Sequence, residues 1–325
     1  MADYINIRGQ NIEVVASDPA NPTIGQIWYN STSNTLKGQI YQPAGWATGG
    51  NQTSFRTMQA GAGTQTAAVA FGGYNFTTST NFNTTEEYDG ATWTSSGTLG
   101  TARREMGGAG TQTAAVGFGG RIPPDSALTE EYNGSTWTSG GLLGTARGYM
   151  GDAGTQTAAL AFGGESIPAG ASTLTEEYNG ATWTSSGAMP VAKYGMGSCG
   201  TQTAALSGGG ATPITAITME YNGATWTTNP ASMNSARYNL GGAGTQTAAL
   251  FFGGEPPTEF TKVESWDGIS WSINPATLTS SGGAFTYGVG ISTSALSFSG
   301  TEGYLSGATE EYIGAGPVTK TITAS

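Results

Sequence analysis

The chain has 325 residues, with 53 Gly, one Cys, no His, and 11 Lys+Arg against 22 Asp+Glu for a formal net charge of −11. Without imidazole it lacks the commonest general base and a favoured metal ligand, and one thiol makes neither a disulfide framework nor a cysteine zinc site. No basic run exists, which argues against nucleic acid as a partner, and the Gly-, Ser- and Thr-rich composition would suggest disorder were it not for 8 Trp, 14 Tyr and 11 Phe that need burying.

Residues 1–24 stand outside any repeat and read as a tether or attachment segment, with a short strand at 12–16 and a turn-rich linker, Asp18-Pro19-Ala20-Asn21-Pro22. The first residues lack a charged region followed by an apolar one, so no secretory signal is expected. No apolar run approaches roughly 18 residues, so no membrane span is expected. Residues 25–30 and 35–41 read as the strands of a hairpin about Ser31-Thr32-Ser33-Asn34.

From residue 53 the chain repeats. A Thr-Gln-Thr triplet starts at Thr64, Thr111, Thr155, Thr201 and Thr245, and a worn copy, Ser292-Thr293-Ser294, gives steps of 47, 44, 46, 44 and 47 residues. Self-similarity at this period means a solenoid, a propeller or another array, so most of the chain is expected to share one continuous core. Each unit places a basic residue eight positions before its triplet: Arg56, Arg103, Arg147, Lys193 and Arg237, with Ala284 in the sixth. A Thr-Ala-Ala strand ending in a Gly pair follows, then a loop of variable sequence, then a hairpin such as Glu86-Glu87-Tyr88-Asp89-Gly90-Ala91-Thr92-Trp93. Its Asp-Gly or Asn-Gly, at 89–90, 133–134, 179–180, 222–223 and 267–268, suits a tight turn in which both central residues take positive φ. Four short β segments per unit, with no helical period, predict a four-stranded antiparallel sheet. Cys199 stands where the other repeats have Ala62, Ala109, Ala153 and Ala243, and is expected to be a small buried side chain.

The Gly doublet closing the second strand, the basic residue of the first, and the pairs Tyr88/Trp93, Tyr132/Trp137, Tyr178/Trp183, Tyr221/Trp226 and Trp266/Trp271 together resemble the kelch repeat over residues 40–316. The resemblance implies an all-β, kelch-like β-propeller with each unit as one four-stranded blade. The sixth unit has Pro317 where a Trp is due, while Tyr41 and Trp46 show the missing spacing. A strand around Trp46 is therefore expected to complete the last blade and close the ring over residues 25–325, giving six blades. The rival count is seven, with residues 11–48 as a separate blade. Small residues fit a crowded hub, and aromatic ones fill the widening wedge outside it. Burying about 200 Å² of one Trp contributes up to roughly 5 kcal/mol.

No catalytic residue, metal site or cofactor is expected. The adjacent glutamates (Glu86-Glu87, Glu130-Glu131, Glu176-Glu177, Glu310-Glu311) point to opposite faces of a strand, so they cannot form the carboxylate pair of a glycosidase. Where the repeat has an Arg, the first glutamate is expected to pair with it, in the fifth repeat as Glu264 with Arg237; the fourth repeat instead has Met219 with Lys193. The loop between the second and third strands differs in every repeat, and variable loops on a rigid scaffold are where binding usually resides. The candidate ligand-binding residues there are Tyr74, Phe76, Arg121, Asp125, Glu165, Glu255, Phe260, Lys262, Glu302 and Tyr304.

The stretch Pro22-Thr23-Ile24-Gly25-Gln26-Ile27-Trp28-Tyr29-Asn30 with Thr35-Leu36-Lys37 resembles a hairpin of phage tail-fibre and virion proteins. The near-identical Thr-, Ala- and Gly-rich units resemble kelch units of marine phage proteins. These resemblances imply a non-enzymatic protein on the surface of a tailed-phage particle, assembled in the host cytoplasm. Residues 1–24 would meet other virion proteins, and the variable loops a host surface glycan or protein. A decoration protein without a receptor and a polysaccharide-degrading enzyme are the alternatives, and homo-oligomerisation is left open.

Overall fold

The structure, a computed structural model, describes residues 12–255, 261–279, 283–300 and 307–322. Every regular element among them is a strand, so no helix is present that could cross a membrane. The chain divides into two compact units, residues 1–44 with 314–325, and residues 45–313.

In the first unit four strands form one sheet in the order Glu13–Val15, Ile27–Asn30, Thr35–Gln42 and Gly316–Thr321. The first pair is parallel and the other two are antiparallel. Asp18, in the turn-rich linker, accepts hydrogen bonds from Lys37 Nζ (2.6 Å), Asn30 Nδ2 (2.7 Å) and Trp28 Nε1 (3.0 Å). These donors, Lys37 foremost, hold its carboxyl down at about 2.

The second unit contains six four-stranded antiparallel sheets, an all-β architecture consistent with a blade-based β-propeller. The first repeat runs Ala60–Thr64, Ala67–Phe71, Thr85–Tyr88 and Trp93–Ser96, each strand pairing with the next. The next four repeats follow the same plan. In the sixth, Tyr287–Ile291, Ser294–Phe298 and Thr309–Ile313 take Gly45–Thr48 as their fourth strand, with Trp46 opposite Tyr312. The first strand of each sheet lies beside that of the next, and the sixth lies beside the first. Second strands are buried on both faces, since each sheet is covered by two others. This is why they read Ala-Ala-Val-Ala-Phe rather than alternating polar and apolar.

Two expectations need correction. Tyr287–Ile291 pairs with Ser294–Phe298 in the register of Ala60–Thr64 with Ala67–Phe71. The sixth copy of the triplet is therefore Ile291-Ser292-Thr293, one residue earlier than its hydroxyl pattern suggested. Gly283 rather than Ala284 consequently occupies the basic position, and its carbonyl accepts from Gly254 N–H as that of Arg237 does from Gly210. The outer hairpin, in turn, has a four-residue loop in which only the glycine takes positive φ (Gly90, 91°). Asp89 instead uses Oδ1 to accept from Ala91 and Thr92 N–H, at 2.9 and 2.7 Å. Asn133, Asn179, Asn222 and Asp267 do the same, so the side chain caps the turn and no second left-handed residue is needed.

Polar side chains of the repeat join neighbouring sheets. The Gln of the triplet donates to two carbonyls of the preceding repeat: Gln112 to Ala68 O (3.1 Å) and Tyr88 O (2.6 Å), with Gln65, Gln156, Gln202 and Gln246 in the same role. Tyr88, Tyr132, Tyr178 and Tyr221 donate to the second glutamate of the preceding hairpin. The first glutamates face the other way, into their own sheets, as Arg56–Glu86 (3.5 Å), Arg103–Glu130 (2.8 Å), Arg147–Glu176 and Arg237–Glu264 (3.1 Å). Lys193, whose repeat has Met219 in place of the glutamate, donates to Pro213 O at 2.5 Å.

Trp93, Trp226 and Trp271 are buried, Trp137, Trp183 and Trp46 half-buried. Five of these donate Nε1–H to a threonine at the start of the third strand of the preceding repeat, all at 2.9 Å: Trp93 to Thr309, Trp137 to Thr85, Trp183 to Thr129, Trp226 to Thr175 and Trp271 to Thr218. For Trp46 the equivalent acceptor position holds Val263, and Trp46 Nε1 is buried without a partner. Val263→Thr is therefore expected to stabilise the fold by about 1 kcal/mol, since it gives a buried donor its acceptor at nearly constant volume. Thr175→Val should cost a similar amount by orphaning Trp226. Urea midpoints that move in opposite directions for the two variants would bear this out; a fall for Val263→Thr would refute it.

Candidate functional site

Among the described residues, five connections from a fourth strand into the next repeat form a bridge with the first residue of the following variable loop, at Thr57–Tyr74, Arg104–Arg121, Gly148–Glu165, Tyr194–Ala211 and Tyr238–Glu255. Both sets of loops thus occupy one face. The residues just after these bridges are Met58, Glu105, Tyr149, Gly195 and Asn239, and Phe285 holds the matching place in the sixth repeat, all with φ between 54° and 63°. Their backbones form a chain of hydrogen bonds around the centre, each N–H donating to the preceding carbonyl from Glu105→Met58 to Phe285→Asn239, at 2.6–3.0 Å. The positive φ turns each amide sideways toward its neighbour rather than along its own strand.

Arg121 is the hub of the loop face. It pairs with Glu105 (3.2 Å), Asp125 (2.8 Å) and Glu165 (3.0 Å) and lies over the ring of Tyr149 at 5.6 Å. Burial works against its charge, and the three carboxylates more than reverse that, holding its pKa above the ordinary arginine value. Asp125 also accepts from Ile167 N–H at 2.6 Å. Glu105 is pushed up by burial, against the pull of Arg121 and Arg104. Beside this hub, Arg104 lies 4.4 Å above the ring of Tyr74, and Phe76 meets that ring edge-on at 5.1 Å. Arg104 also donates to Asn81 Oδ1 at 2.9 Å.

The structure therefore brings Tyr74, Phe76, Arg121, Asp125 and Glu165 into one cluster. Glu255 lies elsewhere, accepting from Tyr238 (3.0 Å) and Asn239 (3.4 Å); burial, then this carboxylate, pushes the Tyr238 phenol up to about 12. Lys262 is separate again, bonded to Ser235 at 2.7 Å. Phe260, Glu302 and Tyr304 lie outside the described residues.

Beneath the face lies a central channel that the sequence reading did not identify. One cavity of about 90 Å³ is lined by residues from Met58 through Glu105, Tyr149 and Asn239 to Tyr287. A second, of about 110 Å³, is walled by the first strands of all six sheets. Asp152, Ser198 and Tyr287 line both. Tyr287 donates across the channel to Asp152 Oδ2 (2.8 Å), Gly108 N–H donates to the same oxygen (2.9 Å), and Ser198 donates to Oδ1 (3.1 Å). Burial pushes the Asp152 carboxyl up to about 6, against these donors. The Cys199 thiol and the Tyr287 phenol are also raised, chiefly by burial and then by Asp152. At the position of Asp152 the other repeats have Gly61, Gly108, Ser198, Gly242 and Gly288. First strands approach so closely there that a Cβ on Gly108 would stand 2.5 Å from Gly61 O. The usable signal was a break in the repeat: a position held by glycine in four units carries Asp152 and Ser198 in the other two.

Among the described residues no group of three or more His, Cys, Asp or Glu is arranged to hold a metal ion. Neither a scan against protein-family models nor a search of curated proteins returned a match.

Proposed function

We propose that residues 45–313 form a six-bladed, kelch-like β-propeller closed by the strand at Trp46, and that it is the non-enzymatic binding module of a tailed-phage surface protein. In this reading residues 1–24 attach it to other virion proteins, and its variable-loop face meets a host surface glycan or protein. The observation that carries the binding role is the cluster of Tyr74, Phe76, Arg104, Arg121, Asp125 and Glu165 on one face of a stiff scaffold. It combines an exposed aromatic edge with fixed cationic and carboxylate groups, the set that stacks on a sugar ring and orients its hydroxyls. Phe76, 38 % exposed, is the part of it that a ligand reaches first.

Adsorption of the labelled chain to host cells, or to arrayed host-type glycans, tests the reading. Saturable binding is expected, with Phe76→Ala and Tyr74→Ala each weakening it by about tenfold, the equivalent of ~1.4 kcal/mol. Absence of adsorption would leave a decoration role in its place, and release of reducing ends from host polysaccharide would make the protein an enzyme.

A further inference from the structure

We propose that the loop-side chamber of the channel binds a small primary ammonium ion, with Asp152 as counter-ion on its floor and Asn239 Oδ1 as acceptor in its wall. The inference is independent of the loop-face reading. It rests on three features of the chamber: where the repeat is broken, what lines it, and which hydrogen-bonding capacity is left over.

The repeat is broken at the channel. Tyr287 and Asp152 stand where neighbouring units have residues as small as Ala60 or Gly107 and Gly108. They meet across the channel, and Ser198 joins them. A scaffold needing only to pack would keep its glycines here, because the other units show that glycine suffices.

The lining suits an alkylammonium ion. Four thioethers, of Met58, Met106, Met150 and Met196, and the rings of Tyr149 and Phe285 provide soft, polarisable walls. No Lys or Arg lines the chamber. The cavity of about 90 Å³ is several times the ~10–15 Å³ that one water requires, which is room for a small alkylamine.

The hydroxyl donors of the lining are already used, while an amide oxygen is left over. Tyr287 and Ser198 donate to Asp152, Gln59 Nε2 to Gln52, Asn239 Nδ2 to Glu255, Thr286 Oγ1 to Gly283 O, and Tyr149 to Met58 Sδ. Asn239 Oδ1, in a residue only 8 % exposed and beside Gly195 on the chamber wall, has no donor. Asp152 accepts from three neutral donors and no cation. An unfilled acceptor and an uncompensated carboxylate in the lining of one cavity fit a ligand that donates N–H and carries positive charge.

Binding should depend on pH, because Asp152 must be ionised to serve as counter-ion. The titratable groups facing it, Tyr287 and Cys199, stay protonated across the neutral range. Farther up the chamber, Glu105 is also raised by burial but pairs with Arg104 and Arg121, and Tyr149 lies under Arg121. With the carboxyl titrating near 6, affinity should fall by about tenfold per pH unit below that value.

The test is calorimetric titration of the full chain with isopropylammonium chloride, and with isopropanol as the neutral analogue of the same size. Saturable binding with Kd between about 0.1 and 10 mM is expected at pH 7.5, at least ~5-fold weaker at pH 5, with no saturation by isopropanol. Asp152→Asn keeps the acceptor for Tyr287 and should lose at least ~10-fold in affinity without a drop in melting temperature. Asn239→Gly, compatible with the φ of 55° at that position, should weaken binding while leaving the loop in place. Equal binding of isopropanol, unchanged affinity in folded Asp152→Asn, or no saturation by either compound would overturn the assignment.

Discussion

Arg147→Ala is expected to lower the stability of the repeat array by about 3–5 kcal/mol. The guanidinium is fully buried and pairs with Glu176. It also donates to Gly163 O at 3.0 Å and Thr145 O at 3.1 Å. Truncation would leave a carboxylate, in a residue only 3 % exposed, facing bare carbonyls, and an unpaired buried charge costs more than the pair contributed. Glu176 keeps one donor, Gly144 N–H at 2.6 Å, which offsets only part of the loss. The fourth repeat supplies its own control, because there Lys193 and Met219 occupy the two positions without a carboxylate. The double variant Arg147→Lys/Glu176→Met should therefore recover most of the stability, to within about 1–2 kcal/mol of the parent. Thermal unfolding of the three proteins decides the matter: at about 2–4 °C per kcal/mol, the single variant should melt roughly 10 °C early and the double variant close to the parent. A single variant that melts with the parent would mean that the pair contributes nothing to stability.

What could be read from the sequence was what repeats. Period, hairpins, Arg-to-Glu pairing and the role of Trp46 as an outer strand follow from residues recurring in phase, because each performs the same local task in every sheet. The one-residue slip in the sixth repeat came from matching hydroxyls: Ser292-Thr293-Ser294 looks like the triplet, but the strand register places Ile291 opposite Ser294. The recurring Gln was visible, yet its task was not, since the acceptors of Gln112 lie 24 and 44 residues back, on the neighbouring sheet. The loop-face cluster was half legible. Arg121, Asp125 and Glu165 stand in variable loops, but Arg104 and Glu105, which complete the cluster, stand in the connections between repeats, where only strand-to-strand bridging brings them close. The channel was least legible of all. Asp152 and Tyr287 are 135 residues apart, and nothing in a linear pattern says that the second residue of one inner strand faces the first residue of another across the centre.

The most sensitive backbone position should be the glycine immediately before the Thr-Gln-Thr triplet. Gly154 has φ of 105°, and its counterparts Gly63, Gly110, Gly200, Gly244 and Gly290 lie between 104° and 125°. Two separate reasons require glycine here. A side chain in this region of φ is strained, at a cost of about 1–3 kcal/mol. In addition, an ideal Cβ on Gly154 would stand 2.1 Å from the backbone carbonyl oxygen of Ala158 across the inner hairpin. That oxygen belongs to a sheet held on both faces, so relief requires the hairpin itself to open, for roughly 1–3 kcal/mol more. Gly170 separates the two terms within the same repeat: its φ is 88°, but a Cβ there would meet nothing within 4 Å. Gly154→Ala is accordingly expected to lose about 3–6 kcal/mol, and Gly170→Ala only about 1–2 kcal/mol. Equilibrium unfolding in urea, with the same slope for parent and both variants, would measure the difference directly. Equal losses for the two would mean that dihedral strain alone selects this glycine. A larger loss at Gly154 would locate the constraint in the close approach of the two inner strands, the contact from which every sheet of the array is built.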